Sequence, residues 1–264
     1  MKDVDLFIKK LHYFDKKFKL IINQNNNDLK VEYLELCELI DKYSSFITNR
    51  ENEKHWNYIK QSIEIIALIE NLRNNSSVCI QIVEKHRAFV LGLENEEITD
   101  YFRNIEDCIE KEFGDFQINS QSKVIMVGSG AFPLTLLMVA ERTGAEVFGI
   151  DIDDEAIHLG RYVVSRLGRH LAIQIEKKTV GELTVMKQIS HIIFSSTVSN
   201  KYAILDQLYA LTNKDVLIAM RYGNGLKSLF NYPKQKVDEN KWQIVEEIIH
   251  PHNVFDVILY QKVQ

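Results

Sequence analysis

The residues with the clearest potential for chemistry lie in one stretch in the second half of the chain. An apolar run leads into Gly128-Ser129-Gly130, and a second apolar run at 147–150 ends at Asp151. Glycine allows a sharp turn and lets a ligand approach the backbone closely. A carboxylate at the carboxyl end of the following strand is placed to accept hydrogen bonds from ribose hydroxyls. The order predicts strand, glycine turn, helix, strand and acidic tip, which is typical of a nucleoside site.

The glycine turn does not have the pattern of a dinucleotide site. It reads G-S-G-A-F-P, without a third small residue, and Pro133 stands where a pyrophosphate would need backbone donors. A nucleoside without phosphates, such as S-adenosylmethionine (SAM), fits better, although an ordinary strand-to-helix turn is the alternative. The residues that we expect to contact SAM lie in this turn and at the following strand ends: Gly128, Ser129, Gly130, Phe132, Pro133, Asp151, Ile152, Thr179, Val180 and Ser195.

The bulk composition limits the class of protein. The chain has 264 residues, 45% hydrophobic and 26% charged, which is typical of a globular protein with an ample core. A net charge of −5 gives no reason to expect nucleic acid or a membrane surface as partner. Cys37, Cys79 and Cys108 have no metal-binding spacing, so we expect no metal and a reducing cytoplasm. The N-terminus is too charged for a signal peptide, and no stretch is apolar enough to span a bilayer.

The periodicity of the apolar residues divides the chain into two parts. Residues 1–118 have helical spacing, with a turn expected at 74–77, and form a predicted all-helical domain. Residues 119–264 alternate strands with helices, which predicts an α/β, Rossmann-like sheet of the SAM-dependent methyltransferase type. A last helix at 242–249 and a closing antiparallel strand at 254–260 are expected to complete it. Ligands bind such sheets at the carboxyl ends of the strands.

SAM is a sulfonium with three electrophilic carbons, so two kinds of transfer are open. Methyl transfer is the commoner, but the amino acid arm can also be transferred, releasing methylthioadenosine. Many amine methyltransferases have prolines after the fourth strand, whereas this chain has Ser-Ser-Thr-Val at 195–198. The absence of proline argues against methylation of nucleic acid or protein amines and leaves small-molecule methylation open.

Two charged residues are candidates for catalysis and binding. An amine nucleophile must lose a proton, so a base near the sulfonium is useful, and Glu84 lies on a mostly apolar helix. The alternative to a catalytic role is that Glu84 is a solvent-exposed charge on the helix, paired with Lys85 or Arg87. Arg221, at a strand end, could grip a carboxylate with two N–H groups, or could form a structural ion pair.

Several motifs together resemble a known family. The segments V-G-S-G-A-F-P-L-T, I-D-I-D, F-S-S-T and A-M-R-Y-G-N-G-L-K-S-L-F-N-Y-P are similar to those of nicotianamine synthase-like enzymes. The resemblance extends over nearly the whole chain, including residues 101–106. It is closest to the bacterial branch that makes staphylopine-type opine metallophores.

The resemblance implies a reaction and roles for individual residues. The 2-aminobutanoate arm of SAM would move to the α-amine of histidine, with D-histidine expected, leaving methylthioadenosine. Glu84 would be the base and Tyr101 the active-site tyrosine. The residues implied for the substrate are Arg221, which would hold a carboxylate, and Tyr222, Ser196 and Thr197. An opine dehydrogenase would consume the product, and a homodimer is plausible by analogy.

Two other functions stay open at this point. The first is a small-molecule methyltransferase on the same fold, which would release S-adenosylhomocysteine in place of methylthioadenosine. The second is a SAM-binding protein without activity, whose helical half binds a partner. No basic stripe in the sequence supports nucleic acid as that partner.

Overall fold

The computed structural model describes residues 2–27, 32–91, 109, 112 and 117–263. Its first part consists of helices, as the spacing predicts. Four of them are α1 (Lys2–Asn26), α2 (Tyr33–Thr48), α3 (Glu51–Ile59) and α4 (Ile63–Val90). Apolar side chains repeat every three or four residues on their facing sides, so each helix buries one stripe. Leu11 and Phe18 of α1, Tyr43 of α2 and Leu72 of α4 are fully buried.

The turn predicted at 74–77 is wrong, because α4 continues through it without a break. Asn and Ser favour turns since their side chains compete for backbone hydrogen bonds, but here three of the four side chains have partners that leave the helix intact. Asn75 donates to Asp15 at 3.1 Å, and Asn74 accepts from the Tyr232 hydroxyl at 3.2 Å. The Ser76 hydroxyl bonds back to the Arg73 carbonyl of the preceding turn. With no proline or glycine at these positions, tertiary contacts decide for the helix.

The second part is a seven-stranded sheet with the order β3-β2-β1-β4-β5-β7-β6. The first five strands are parallel, whereas β7 is antiparallel to β5 and β6 is antiparallel to β7. The predicted fold class, a Rossmann-like parallel sheet with an antiparallel closure after a helical part, is therefore confirmed. The strands are β1 (Lys123–Val127), β2 (Glu146–Ile150), β3 (Ile173–Glu176), β4 (His191–Phe194), β5 (Leu217–Tyr222), β6 (Trp242–Ile248) and β7 (Asp256–Lys262). The connecting helices are α5 (Leu134–Thr143), α6 (Asp154–Leu167) and α7 (Lys201–Leu211).

The last helix predicted at 242–249 is wrong, because this segment forms strand β6. Its apolar residues are Trp242, Ile244, Val245, Ile248 and Ile249, and the pairs three and four residues apart among them imitate a helix. The structure explains the spacing by a β-bulge between Ile244 and Glu246, which inserts one extra residue and interrupts the strict alternation of a strand. The sheet therefore closes with two antiparallel strands where the sequence predicts one.

Helix α4 crosses the carboxyl edge of the sheet. Near its middle, the Arg73 Nε donates to the carbonyl of Ser228, which follows β5, at 2.8 Å. Towards its C-terminus, Lys85 pairs with Asp153, which follows β2, at 2.9 Å. The largest apolar cluster runs without a gap from the first helices to one face of the sheet. The predicted domain boundary at residue 118 stays a prediction. Within the described ranges, no helix has the length and apolar character needed to cross a membrane.

Candidate active site

A cavity of about 380 Å³ lies between α4 and the carboxyl ends of the parallel strands. This volume is within the range of small-molecule sites, about 300–1,000 Å³. The structure brings most of the predicted site residues into its lining. They are Glu84, Gly128, Ser129, Gly130, Phe132, Asp151, Ile152, Thr179, Val180, Ser195, Ser196, Thr197 and Arg221.

The glycine turn is held in place by backbone hydrogen bonds to the end of β2. Gly128 and Gly130 have φ values of 80° and 71°, a conformation that side chains disfavour. The Gly130 N–H donates to Oδ2 of Asp151 at 2.9 Å, and the Ile152 N–H donates to Oδ1 at 2.7 Å. Asp151 therefore has a fixed orientation at the tip of β2, and its remaining lone pairs are open to a ligand.

The Glu84 carboxylate lies directly against the glycine turn. A Cβ atom placed on Gly130 would be 2.5 Å from Oε2 of Glu84, so only glycine leaves room for this contact. Burial raises the pKa of Glu84 to about 8, and the negative charge of Asp151 acts in the same direction. A hydrogen bond from the Ala131 backbone and the charge of Arg87 act in the opposite direction. Glu84 is therefore a carboxyl group that holds a proton at neutral pH and can exchange it.

The neighbours of Glu84 on α4 have other contacts. Lys85 pairs with Asp153 at 2.9 Å and with Glu155 at 2.6 Å, so this lysine anchors α4 to the start of α6. The Arg87 guanidinium is buried and lies over the Phe132 ring at 4.2 Å from its centroid. The pairing of Glu84 with Lys85, which was one alternative from the sequence, is not formed.

Arg221 also lines the cavity and is engaged in an ion pair. Its Nε and Nη2 donate to the two carboxylate oxygens of Glu112 at 2.6 and 2.7 Å, and Nη2 also donates to Thr135 at 3.2 Å. Its guanidinium lies 4.9 Å from the ring centroid of Phe255. Arg221 and Glu112 are both buried. The structural ion pair considered from the sequence is thus present, in a residue that also lines the cavity.

Two predicted site residues, Pro133 and Tyr222, are absent from the described lining of the cavity. Pro133 immediately precedes α5 and is absent from the lining described here. Tyr222 follows Arg221 in β5, and neighbouring residues of a strand point to opposite faces. Its buried hydroxyl donates to Glu247 on the other side of the sheet. Tyr101 lies outside the described residues.

The structure adds lining residues that the sequence motifs do not indicate. Ser77 and Gln81 precede Glu84 on the same face of α4, at spacings of seven and three residues. In the part of the chain that the structure describes, neither side chain has a hydrogen-bond partner, so both are available to a ligand. The helical spacing could have indicated them once Glu84 was singled out. Further additions are Ile80, Lys85, Leu134, Thr135, Asp153, Lys178, Val198, Ser199, Asn200, Ile204, Gln207 and Phe255.

Comparison with known proteins places the chain in a family. The family model described as "Nicotianamine synthase protein" matches residues 43–264. A relative from Yersinia pestis, named L-histidine 2-aminobutanoyltransferase, is 31% identical over 75% of this chain and 74% of its own length. A relative of the same name from Pseudomonas aeruginosa strain UCBPP-PA14 is 27% identical over 84% of each chain.

Solved structures of the same family share the fold. MtNAS in complex with MTA and tNA has a TM-score of 0.77 at 14% identity, covering 98% of each chain. A glutamate-to-glutamine variant of MtNAS has a TM-score of 0.77 at 13% identity, covering 97% of this chain and 98% of that one. Because that family's model matches residues 43–264, most of the chain, the protein belongs to the nicotianamine synthase family.

Proposed function

We propose that this protein transfers the 2-aminobutanoate (3-amino-3-carboxypropyl) group of SAM to the α-amine of histidine and releases methylthioadenosine. The observation that carries the proposal is the Glu84 carboxyl group, held with a raised pKa against the glycine turn of a nucleoside-type site. The names of the relatives from Yersinia pestis and Pseudomonas aeruginosa support histidine as acceptor.

The cavity suits SAM as co-substrate. Asp151 is fixed at the tip of β2, where its free lone pairs can accept the ribose hydroxyls. Thr179, Val180 and Ser195 line the same cavity at the ends of the neighbouring strands, where the adenine is expected. The glycine turn faces the methionine part, with the carboxyl groups of Glu84 and Asp151 close to it. Two acidic groups at this point favour a cationic sulfonium over a neutral thioether.

The chemistry requires one proton transfer and one substitution. Glu84 takes a proton from the α-ammonium group of histidine, which exposes the nitrogen lone pair. That lone pair attacks the terminal carbon of the aminobutanoate arm while the carbon–sulfur bond breaks, and the bonding electrons stay on sulfur. The sulfonium becomes the neutral thioether of methylthioadenosine. The new secondary ammonium carries the positive charge.

The raised pKa of Glu84 fits a base that is activated by its co-substrate. In the free protein the group has a pKa of about 8 because burial and Asp151 disfavour its charge. A bound sulfonium brings a positive charge beside it and lowers that pKa, so the carboxylate forms when the electrophile is in place. The base is thus matched to working pH.

The path of α4 indicates where the acceptor lies. Near its C-terminus, α4 is anchored by Lys85 to Asp153 after β2, next to the ribose side. Near its middle, it is anchored by Arg73 to Ser228 after β5. Glu84 lies between the two, so the acceptor is expected on the Arg73 side of it. Ser77 and Gln81 line that side on α4. Across from them, the residues expected at the acceptor are Ser196, Thr197 and Arg221.

We infer from the resemblance that a reductive condensation of the product follows this reaction. The transfer leaves a secondary amine and a new primary amine with its own carboxylate. The resemblance implies that an opine dehydrogenase condenses this product with a 2-oxo acid to give a staphylopine-type chelator. The metal is then the cargo of the final product. The homodimer and the cytoplasmic location stay predictions.

Mass spectrometry of reactions with SAM and either D- or L-histidine tests the proposal. We expect methylthioadenosine together with histidine carrying one aminobutanoate group. The enantiomer is decided by the same comparison, since the resemblance favours D-histidine whereas the named relatives use the L form. S-adenosylhomocysteine and a methylated acceptor would identify a methyltransferase. SAM binding without turnover of either enantiomer would reject histidine transfer.

A further inference from the structure

Lys201 joins two strand ends at the acceptor side of the cavity. It is the first residue of α7, and its side chain is 0% exposed. Its Nζ donates to the backbone carbonyl of Ser196 at 2.9 Å and to that of Arg221 at 2.7 Å. Both acceptors belong to residues that line the cavity, one after β4 and one in β5. A single ammonium group thus connects two segments of the cavity lining that are distant in the chain.

The charge of Lys201 is not compensated by an ion pair within the described residues. Its close charged neighbours are the guanidinium groups of Arg73 and Arg221, and together with burial they lower the pKa of Lys201 to about 7. Besides the two carbonyl oxygens, the Tyr232 ring, with its centroid 6.0 Å from Nζ, is a favourable neighbour of the ammonium group. Burial of an ammonium group is unfavourable, and an apolar side chain of similar volume would fill the site without that desolvation cost. The hydrogen bonds to the two carbonyls therefore explain a lysine here better than stability does.

We propose that Lys201 is a positioning residue for the transfer reaction, because it fixes the backbones of Ser196 and Arg221 and with them the acceptor side of the cavity. Its Nζ lies behind the wall, and Lys201 is not among the lining residues described here, so it acts through the two residues that it holds. The kinetic consequence rests on the proposed function. The structural consequence, a fixed spacing of the ends of β4 and β5, does not.

Lys227 is the matched control for Lys201. It is also a buried lysine, 8% exposed, and its Nζ donates to the His250 carbonyl at 2.7 Å. It differs in having a carboxylate partner, Asp256, at 2.5 Å. It lies at a separate depression beside α2 and α3 and is absent from the lining of the candidate active site. Removal of this ammonium group disturbs a buried lysine without touching Ser196 or Arg221.

The test compares Lys201→Met with Lys227→Met in steady-state kinetics and thermal unfolding. Without the two hydrogen bonds of Lys201, the backbones of Ser196 and Arg221 can shift. We therefore expect Lys201→Met to raise the histidine KM by about ten-fold or more. The dissociation constant of SAM should change by less than about three-fold, since the nucleoside end keeps its contacts. Lys227→Met should lower Tm and leave the histidine KM within about two-fold. An unchanged KM in Lys201→Met, or an equal rise in both variants, would overturn the proposal.

A structural readout separates this proposal from the proposed function. Crystal structures of the wild type and Lys201→Met should differ in the positions of Ser196 and the Arg221 guanidinium, whatever the acceptor is. Unmoved side chains would contradict the positioning role. If Lys201→Met does not fold, Lys201→Gln, which keeps N–H donors on a shorter side chain, is measured against the same criteria. Failure of the wild type to make methylthioadenosine from histidine would reject the proposed function alone.

Discussion

The two ends of the cavity are built in different ways. The nucleoside end depends on backbone conformation, with Gly130 and Asp151 joined by a hydrogen bond across 21 residues of sequence. The acceptor end depends on buried charged side chains from distant segments, and Arg221 and Glu112 are 109 residues apart. Substitutions at the nucleoside end should therefore change local geometry. Substitutions at the acceptor end should change folding and affinity together, and the two effects must be separated.

The largest expected effect is at the acceptor end, in Arg221→Met. It leaves Glu112 buried without its partner, which should lower the free energy of unfolding by about 3–5 kcal/mol. The double variant with Glu112→Met removes both charges and should regain most of that stability, while the histidine KM stays raised. Urea unfolding and steady-state kinetics measure the two quantities. A double variant with wild-type KM would remove Arg221 from acceptor binding.

The next effect is the loss of the base in Glu84→Gln. Turnover should fall by about 10²-fold or more, the usual scale for removal of a general base. SAM binding should persist, because the contacts of the glycine turn and Asp151 remain. Glu155→Gln is the control, since this exposed glutamate pairs with Lys85 but is not among the described lining residues. Equal turnover in Glu84→Gln and wild type would exclude Glu84 from the mechanism.

A smaller effect is expected from Gly130→Ala at the nucleoside end. The new methyl group would displace the Glu84 carboxylate, which lies 2.5 Å from its position, so turnover should fall between about ten- and a hundred-fold. Gly225→Ala is matched in backbone strain, with φ of 57°, but nothing lies within 4 Å of the added atom. Both variants should lose stability by about 1–2 kcal/mol. Similar losses of turnover in both variants would mean that backbone strain, and not displacement of the Glu84 carboxylate, lowers the activity.

The smallest effect is a dependence on pH. Since the pKa of Glu84 in the free protein is about 8, kcat/KM for SAM, which reports the free enzyme, should fall about five-fold between pH 8 and pH 7. The stability of the fold changes with pH in the opposite direction to activity. Between about pH 4.5 and pH 8 the folded protein keeps the Glu84 proton, whereas the unfolded chain has lost it. The contribution of Glu84 to the free energy of unfolding is therefore full below about 4.5 and lost as pH rises through about 8. Thermal unfolding of wild type and Glu84→Gln across this range measures it, and parallel curves would contradict the raised pKa.

The nucleoside end could be predicted from the sequence because its parts are contiguous. The apolar runs, the glycine turn and Asp151 have spacings that mark each strand end, and β4 has the predicted bounds, His191–Phe194. Glu84 required the family resemblance, since its contact with Gly130 joins segments that are distant in the chain. Those two parts of the site meet only through the tertiary path of α4.

The acceptor end could be predicted only in part. Arg221 was singled out at a strand end, but its partner Glu112 carries no local signal. Tyr222 was expected beside it, yet the alternation of a strand turns its side chain to the other face. Ser77 lay in a predicted turn, so its place on the cavity face of α4 was hidden. In each case the deciding contact is between residues that are distant in the chain, so local sequence propensity does not predict it.

The unbroken course of α4 makes the number of residues between its anchors a fixed quantity. Asn74 is bonded to Tyr232 at one point, and Glu84 meets Gly130 almost three turns later. Each residue of a helix advances by about 1.5 Å and rotates by about 100°. One inserted or deleted residue between these points would aim the carboxylate away from the glycine turn, although every side chain of the site would still be present. In this enzyme the count of residues along one helix is as much a part of the active site as the residues themselves.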